Sequence, residues 1–409
     1  MSILALYQTK EGREQLAELL TLGAQQHSQG LADHFLEKDI WVVEILRLLF
    51  AEKLIGNVSV AFKGGTALSK GWNAIHRFSE DIDLSIHWAD LPDDRFNGDE
   101  ASEWARTTAN KTQNKKFRDA QTKRLIQFSQ TLVDKLNHRF AAYQIEGLTA
   151  ELNDDSHGEK IHIQFPRVTA GSNQYQLDYI LLEFGARNRG RPTVFKSIKT
   201  YLADVPELQT LELPVSHVDA FSPDYILWEK LTALHQFSTQ LKEPKYNRLA
   251  RHWYDVDSLL GSSSFNNSIL AYQAAFDVVD MKKNRWAEKG VDYTKVLQGD
   301  LVLLPNKERL ALLAKDHQEA VDGGLFYTTP DRFSKITARL ENYQSKINGI
   351  MPERQRFNEN IRQLTSGAWM QCVIELNGNT LRSEFSLIKQ PDKAEQSLWQ
   401  KYVKSVVGF

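Results

Sequence analysis

Two aspartates one residue apart, Asp81 and Asp83, follow a glycine pair, Gly64-Gly65, within the stretch VSVAFKGGTALSKGWNAIHRFSEDIDLSIH (58–87). Neighbouring carboxylates repel each other when both are ionised, so such a pair calls for a cation between them. Hard oxygen ligands suit Mg²⁺ or Mn²⁺. The glycines let backbone N–H groups approach an anion where a helix begins. A phosphate cradle beside paired carboxylates implies chemistry on a nucleotide. An isolated Asp-x-Asp is commonly a loop or cap feature; here the strand–turn–helix–strand context gives it meaning. The stretch is not a P-loop, because no Gly-Lys-Ser/Thr follows at the required spacing. It also lacks the glycine fingerprint of a dinucleotide fold.

The elements that position these groups can be read from periodicity. Val58, Val60 and Phe62 alternate with small or polar residues, as in a half-buried strand. Thr66 to Ile75 forms a short helix, weakened by Gly71. Asp81 to Ile86 alternates again, so Asp81 and Asp83 share one face of a second strand. Upstream, residues 1–34 give one or two helices, and Phe35 to Lys53 a stronger one with Leu36, Ile40, Val43, Leu46 and Phe50 on one stripe. After a polar region at 89–104, Arg106 to Arg139 is helical. Its first part holds Arg106, Lys111, Lys115, Lys116, Arg118, Lys123 and Arg124, either a solvated face or a contact for a nucleic-acid backbone.

Strand patterns at Gln144–Leu152, Lys160–Val168 and Tyr175–Arg187, separated by hairpin-like connections, extend the sheet in antiparallel fashion. Arg187 to Lys199 reads as a basic loop, after which the strand signal fades. Ser222-Pro223-Asp224 starts a helix running to about Gln240. Others follow at Tyr246–Leu260, 265–287, 305–322, 331–348 and 352–366, and the tail carries a small hairpin (371–376 with 381–388) and a final helix. The expectation is an α/β domain over 1–215, with a mixed, partly antiparallel sheet, and a mainly helical domain over 216–409. The active site is expected in the cleft between them.

Composition narrows the class. The chain has 409 residues with 25% charged side chains and a formal charge of −2, so nothing global marks a nucleic-acid binder. Cys372 is the only cysteine, which excludes an internal disulfide and a cysteine-based zinc site. No apolar run approaches the roughly 18 residues needed to span a bilayer, and the first residues lack a signal-peptide apolar region. The expectation is a cytoplasmic protein with no membrane partner.

Several further residues carry two readings. Glu183 sits in the apolar run YILLEFGA, where a carboxylate is costly unless paired. It is either a third acid facing the metal or the partner of Arg187 or a neighbour. Asp178 has the opposite strand parity. Lys230 shares a helix face with Ile226, Ala233 and Phe237, and is either functional or simply snorkels. Asp255 is a site residue or an ordinary helix ion-pair acid, with Arg251 one turn earlier. His76, His235 and His252 read as packing or surface residues.

The order GGTALSKG, then RFSEDIDLSI, resembles the nucleotidyltransferase fold of the DNA polymerase beta type, and more closely the AbiEii/AbiGii toxin family within it. EKDIWVVEILRLLF (37–50), LLEFGAR (181–187), LWEKLTALHQF (227–237), RLARHWYDVDSLL (248–260) and a helical tail at 312–340 are similar to further family motifs in the same order. The resemblance implies Mg²⁺ (or Mn²⁺) on Asp81 and Asp83, with Lys230 on the phosphates and Asp255 completing the catalytic set. It places Gly64, Gly65, Thr66, Ser69, Lys70, Ser79 and Arg251 toward the nucleotide. It implies transfer of a nucleoside monophosphate from an NTP to an acceptor, an RNA such as a tRNA 3′ end, and a toxin restrained by a cognate antitoxin. The rivals are a nucleotidyltransferase acting on a protein or small molecule, and a non-catalytic NTP-binding interaction protein. The interval between Thr66 and Asp81 exceeds the family's usual one, so the helix or its exit must be longer, which weakens the assignment of Ser69 and Lys70.

Overall fold

A computed structural model describes residues 2–87, 90–91, 111–170, 177–185, 190, 192–364, 372–376 and 379–383. The chain divides into two compact units. The first comprises Met1–Ser222, Tyr246–Arg251 and Leu312–Phe333; the second comprises Pro223–Lys245, His252–Ala311 and Ser334–Phe409.

The first unit is built on a seven-stranded mixed sheet. Its strands are β1 (Val60–Lys63), β2 (Ile82–Ile86), β3 (Thr149–Leu152), β4 (Lys160–Gln164), β5 (Ile180–Gly185), β6 (Thr193–Lys199) and β7 (Val215–Phe221). The spatial order is β3-β4-β5-β2-β1-β7-β6. β2 lies antiparallel to β1 and parallel to β5, while β1 lies parallel to β7. β3, β4 and β5 form the expected antiparallel extension.

One face of the central strands is apolar. Ile82, Leu84 and Ile86 of β2 and Ile180, Leu182 and Phe184 of β5 are buried in the core. Helices α1 (Lys10–Gln26) and α2 (Asp33–Phe50) and the long helix Lys111–Ala141 supply the other side of that core. Phe128 of the long helix, for instance, meets Phe184 edge-on at 5.5 Å. Strand alternation then leaves Asp83 and Glu183, at the intervening positions, on the opposite face, both only partly buried.

Three sequence expectations change here. The helix after the glycines begins at Gly64 rather than Thr66: a short α3 (Gly64–Thr66) runs into a π-helical turn, Ala67–Gly71. It therefore ends earlier than Ile75, and the long interval before Asp81 is an extended exit held by backbone bonds from Phe78 N–H to Leu325 and from Tyr327 N–H to His76. The expected basic loop at 187–199 holds a strand, β6, in full register with β7. Its signal was faint because only Ile198 of β6 is buried, and Ser216 and Ala220 of β7 face inward with little apolar bulk.

The second unit is helical, with Pro223–Thr239, Tyr272–Arg285, Thr294–Gln298 and parts of the helices Arg251–Gly261 and Phe333–Leu364. Trp228 and Trp253 are buried in it, each donating its indole N–H to a backbone carbonyl, of Ser268 and Leu303 respectively. The expected break between 348 and 352 is absent, and one helix carries Pro352 in its interior. Proline leaves the carbonyl four residues back without its helical donor. A glycine, Gly299, packs against that same carbonyl of Asn348. A two-stranded sheet, Cys372–Leu376 with Asn379–Ser383, forms a hairpin at the expected place, its second strand beginning at Asn379 rather than Leu381. The final helix expected beyond it lies outside the described residues. No described helix is long and apolar enough to cross a membrane.

Candidate active site

The register of the sheet assembles a row of charges. Lys63 of β1 is opposite Asp83 of β2, Asp83 is opposite Glu183 of β5, and Glu183 is opposite Lys160 of β4. Directly opposed residues project to the same face, so two carboxylates stand side by side with a lysine at each end. The Lys160 ammonium lies 3.4 Å from Glu183. Glu183 thus lies opposite Asp83 and pairs with a neighbour, which is Lys160. Arg187 lies outside the described residues. Asp178 precedes β5 and bonds Arg167 at 2.9 Å.

Asp81 sits immediately before β2. Its Oδ1 is buried without a hydrogen-bond partner. Burial, together with the nearby charges of Asp81 and Glu183, pushes Asp83 up to about 7, against the opposing pull of Lys63 and Arg251. An orphaned buried carboxylate oxygen beside a carboxyl raised by like charges is a site short of positive charge, and its hard oxygen donors match a divalent cation. Among the described residues no three acidic, histidine or cysteine side chains form a complete metal cage. The carboxylates alone would supply part of a coordination shell, as is usual where substrate phosphates supply the rest.

The glycine turn is fitted to these acids. Gly64 adopts φ +74, a left-handed conformation, and a Cβ there would overlap the Asp83 carboxylate. A Cβ on Gly65 would overlap Ser79 Oγ and crowd the Arg77 guanidinium. Thr66 is buried, and its hydroxyl donates to the Asp81 carbonyl at 2.5 Å. Gly64, Gly65, Thr66, Ser79, Asp81 and Asp83 are therefore brought together as the sequence suggested. Arg251 belongs to the same unit, and its charge acts on Asp83.

Ser69 and Lys70 are placed differently. Ser69 is buried and donates to the Thr66 carbonyl. The Lys70 ammonium is 3% exposed, 2.6 Å from Asp39 and 3.5 Å from the centre of the Tyr201 ring. A nucleotide could recruit it only by breaking a buried ion pair, so Lys70 is structural here. The connecting helix ends at Gly71 and turns these two residues inward.

In the second unit, Lys230 donates to Asp255 at 2.8 Å, and the Asp255 side chain is fully buried. Lys230 does not simply snorkel. A buried carboxylate of this kind fixes the lysine's position.

Of the basic stretches, Lys115, Lys116, Arg118 and Lys123 are exposed on the long helix while Arg124 is buried. Lys199, Lys242 and Lys245 are exposed, and Lys196 lies over the Trp72 ring. Arg106, Arg187, Arg189 and Arg191 lie outside the described residues. Sequence reading passed over Lys63, Arg77 and Glu80. Lys63 directly precedes Gly64, and its place opposite Asp83 follows once the β1–β2 register is known.

The first unit is thus a mixed α/β sheet that carries a glycine turn packed against a row of acids. The family model "Nucleotidyl transferase AbiEii toxin, Type IV TA system" matches residues 47–339, most of the chain. The protein belongs to that family, as a nucleotidyltransferase toxin with a nucleoside triphosphate as substrate. Among solved structures it is similar to MenT4, a nucleotidyltransferase toxin from Mycobacterium tuberculosis H37Rv, with 15% identity and a TM-score of 0.40 over 82% of this chain and 98% of that one. No curated protein is close enough in sequence to match.

Proposed function

We propose that this toxin transfers a nucleoside monophosphate from an NTP to RNA, with a tRNA 3′ end as acceptor, and that a divalent cation, Mg²⁺ or Mn²⁺, is held by Asp81 and Asp83 with Glu183 alongside. The observation that carries the metal assignment is the Asp83–Glu183 pair with the unsatisfied Asp81 oxygen, set against a glycine turn that leaves no room for a Cβ. The RNA assignment rests on the family resemblance and on the exposed lysines and arginine of the long helix. A cognate antitoxin goes with a type IV system.

In the reaction, the acceptor 3′-hydroxyl gives up its proton to solvent as its oxygen bonds to the α-phosphorus, the bond from that phosphorus to the bridging oxygen breaks, and pyrophosphate leaves. Such transfers depend mostly on positioning and electrostatics. Bound at the acids, the cation would supply charge for the triphosphate and acidify the attacking hydroxyl. The backbone N–H groups of Gly64, Gly65 and Thr66 receive phosphate oxygens, at a turn that the absent Cβ atoms let pack directly against Asp83 and Ser79. Ser79 and Arg251 orient the nucleotide. The family resemblance assigns Lys230, which Asp255 fixes within the second unit, to neutralising charge on the β- and γ-phosphates. Lys63 keeps the Asp83 carboxylate from turning away.

The purified protein, incubated with each α-labelled NTP, total tRNA and bacterial lysate protein, should label tRNA, and sequencing of RNA 3′ ends should find the added nucleotide. Label on protein alone would reject the RNA acceptor while leaving the nucleotidyltransferase chemistry standing.

A further inference from the structure

The second helix of the core contains a run that the site does not use: Glu37-Lys38-Asp39 in α2. Three consecutive charged side chains are almost fully inside the protein, at 1%, 1% and 2% exposure. Helical spacing sends them in three directions, and each ends on a different loop.

Glu37 accepts hydrogen bonds from the Val168 and Thr169 backbone N–H groups, the Thr169 hydroxyl and the Tyr7 hydroxyl. It pins the 168–169 segment and the N-terminus. Lys38 donates to Glu80 at 2.9 Å and to the Leu177 carbonyl at 2.7 Å, and Glu80 in turn accepts from the Leu177 N–H at 3.1 Å. Glu80 is the residue before Asp81, and Leu177 leads into β5, which carries Glu183. Lys38 and Glu80 therefore clamp the starts of the two acid-bearing strands to each other. Asp39 holds the Lys70 ammonium at 2.6 Å and accepts from the Tyr201 N–H at 2.6 Å. Lys70 lies in the π-helical turn that continues from the glycine turn.

Burying ion pairs is a poor way to gain stability. Desolvation offsets much of the attraction, and apolar replacements of similar volume are often as stable or more so. A second function for these charges is specification of geometry. We propose that Lys38 and Asp39 are separate positioning residues for the two halves of the active site. Lys38, through Glu80, sets Asp81 and Asp83 against Glu183 for the cation; Asp39, through Lys70, sets the glycine turn for the triphosphate. The proposal rests on the assignment of those acids and of that turn made above.

The test uses the full chain with two paired, charge-neutral replacements, Lys38→Met/Glu80→Gln and Asp39→Asn/Lys70→Met. Each removes both members of an ion pair; in the first, the Arg248 guanidinium, 3.8 Å from Glu80 and partly exposed, loses one neighbour. Mn²⁺ binding is measured by electron paramagnetic resonance, and KM for each of the four NTPs at saturating Mg²⁺. Both variants should melt near the wild-type temperature. The first should bind Mn²⁺ about tenfold more weakly or worse. The second should keep Mn²⁺ affinity within about twofold while its KM for the incorporated NTP rises about tenfold. If the Lys38 pair does not fold, Glu80→Gln alone, which keeps an acceptor for Lys38, is measured instead and should weaken Mn²⁺ binding in the same direction. Folded variants with wild-type values for both quantities would overturn the proposal. So would parallel losses of metal and nucleotide binding in both variants, the mark of a merely structural role. Failure of the underlying assignment looks different: Asp81→Asn/Asp83→Asn would then bind Mn²⁺ as wild type does.

Discussion

Asp83→Asn should make the metal-free protein more stable and at the same time inactive. The carboxyl is raised to about 7 by burial and by Asp81 and Glu183, against about 3.8 for a free aspartate side chain. A carboxyl that binds its proton more tightly in the folded state than in the unfolded one costs stability when ionised. At about 1.4 kcal/mol per pH unit the ceiling is about 4 kcal/mol. Partial solvent access and the loss of the attraction to Lys63 reduce this, so we expect a gain of about 1–3 kcal/mol, several degrees in melting temperature.

The sign with pH follows directly. Above about pH 7 wild-type Asp83 is charged in the folded protein and the variant's advantage is complete. As pH falls toward 4 the folded wild type takes up the proton, and the advantage closes. Divalent cation should raise the wild-type melting temperature and leave the variant's nearly unchanged. Thermal unfolding at pH 5 and pH 8, with and without Mg²⁺, checks all three statements. Nucleotidyl transfer by the variant should fall by about 10³-fold or more, since charge stabilisation supplies most of such a reaction. A variant less stable than wild type at pH 8 would show that Asp83 is not under repulsion.

Gly64→Ala should be strongly damaging for the addition of a single methyl group. The position has φ +74, and the new Cβ would occupy the place of the Asp83 carboxylate. The left-handed backbone alone costs an alanine about 1–2 kcal/mol. Displacing Asp83 adds a packing term of about 1–3 kcal/mol and moves a proposed metal ligand. Gly56→Ala is an internal control, because Gly56 has φ +72 and open space around its Cβ position. Denaturant unfolding of both variants should show the control losing only the backbone cost and keeping its activity. Gly64→Ala should lose at least about twice as much stability and most of its activity. Equal losses would mean that the glycine serves the turn alone.

The core of this picture was legible in the chain because the relevant signals are local. The alternation through Val60 and Phe62, the glycine pair and the Asp-x-Asp strand each depend on a few adjacent residues, and the fold keeps them together. What escaped depends on long-range pairing. Lys63 and Glu80 gain their meaning from β1–β2 register and from Lys38, on a helix far upstream in sequence. The family resemblance places Lys70 toward the nucleotide. Only the buried Asp39–Tyr201 contact reveals that it turns inward. Strand β6 was hidden for another reason: at the edge of the sheet few of its side chains are large, apolar and buried. Phe195, the bulkiest in β6, is 67% exposed.

The central claim is that the acid pair performs nucleotidyl transfer, and the most direct measurement compares wild type with Asp81→Asn/Asp83→Asn for incorporation of α-labelled NTP into tRNA in Mg²⁺. The account predicts incorporation by the wild type that EDTA abolishes, and a loss of at least about 10³-fold in a variant that remains folded. A folded double variant that still transfers nucleotide within a few-fold of wild type would contradict it.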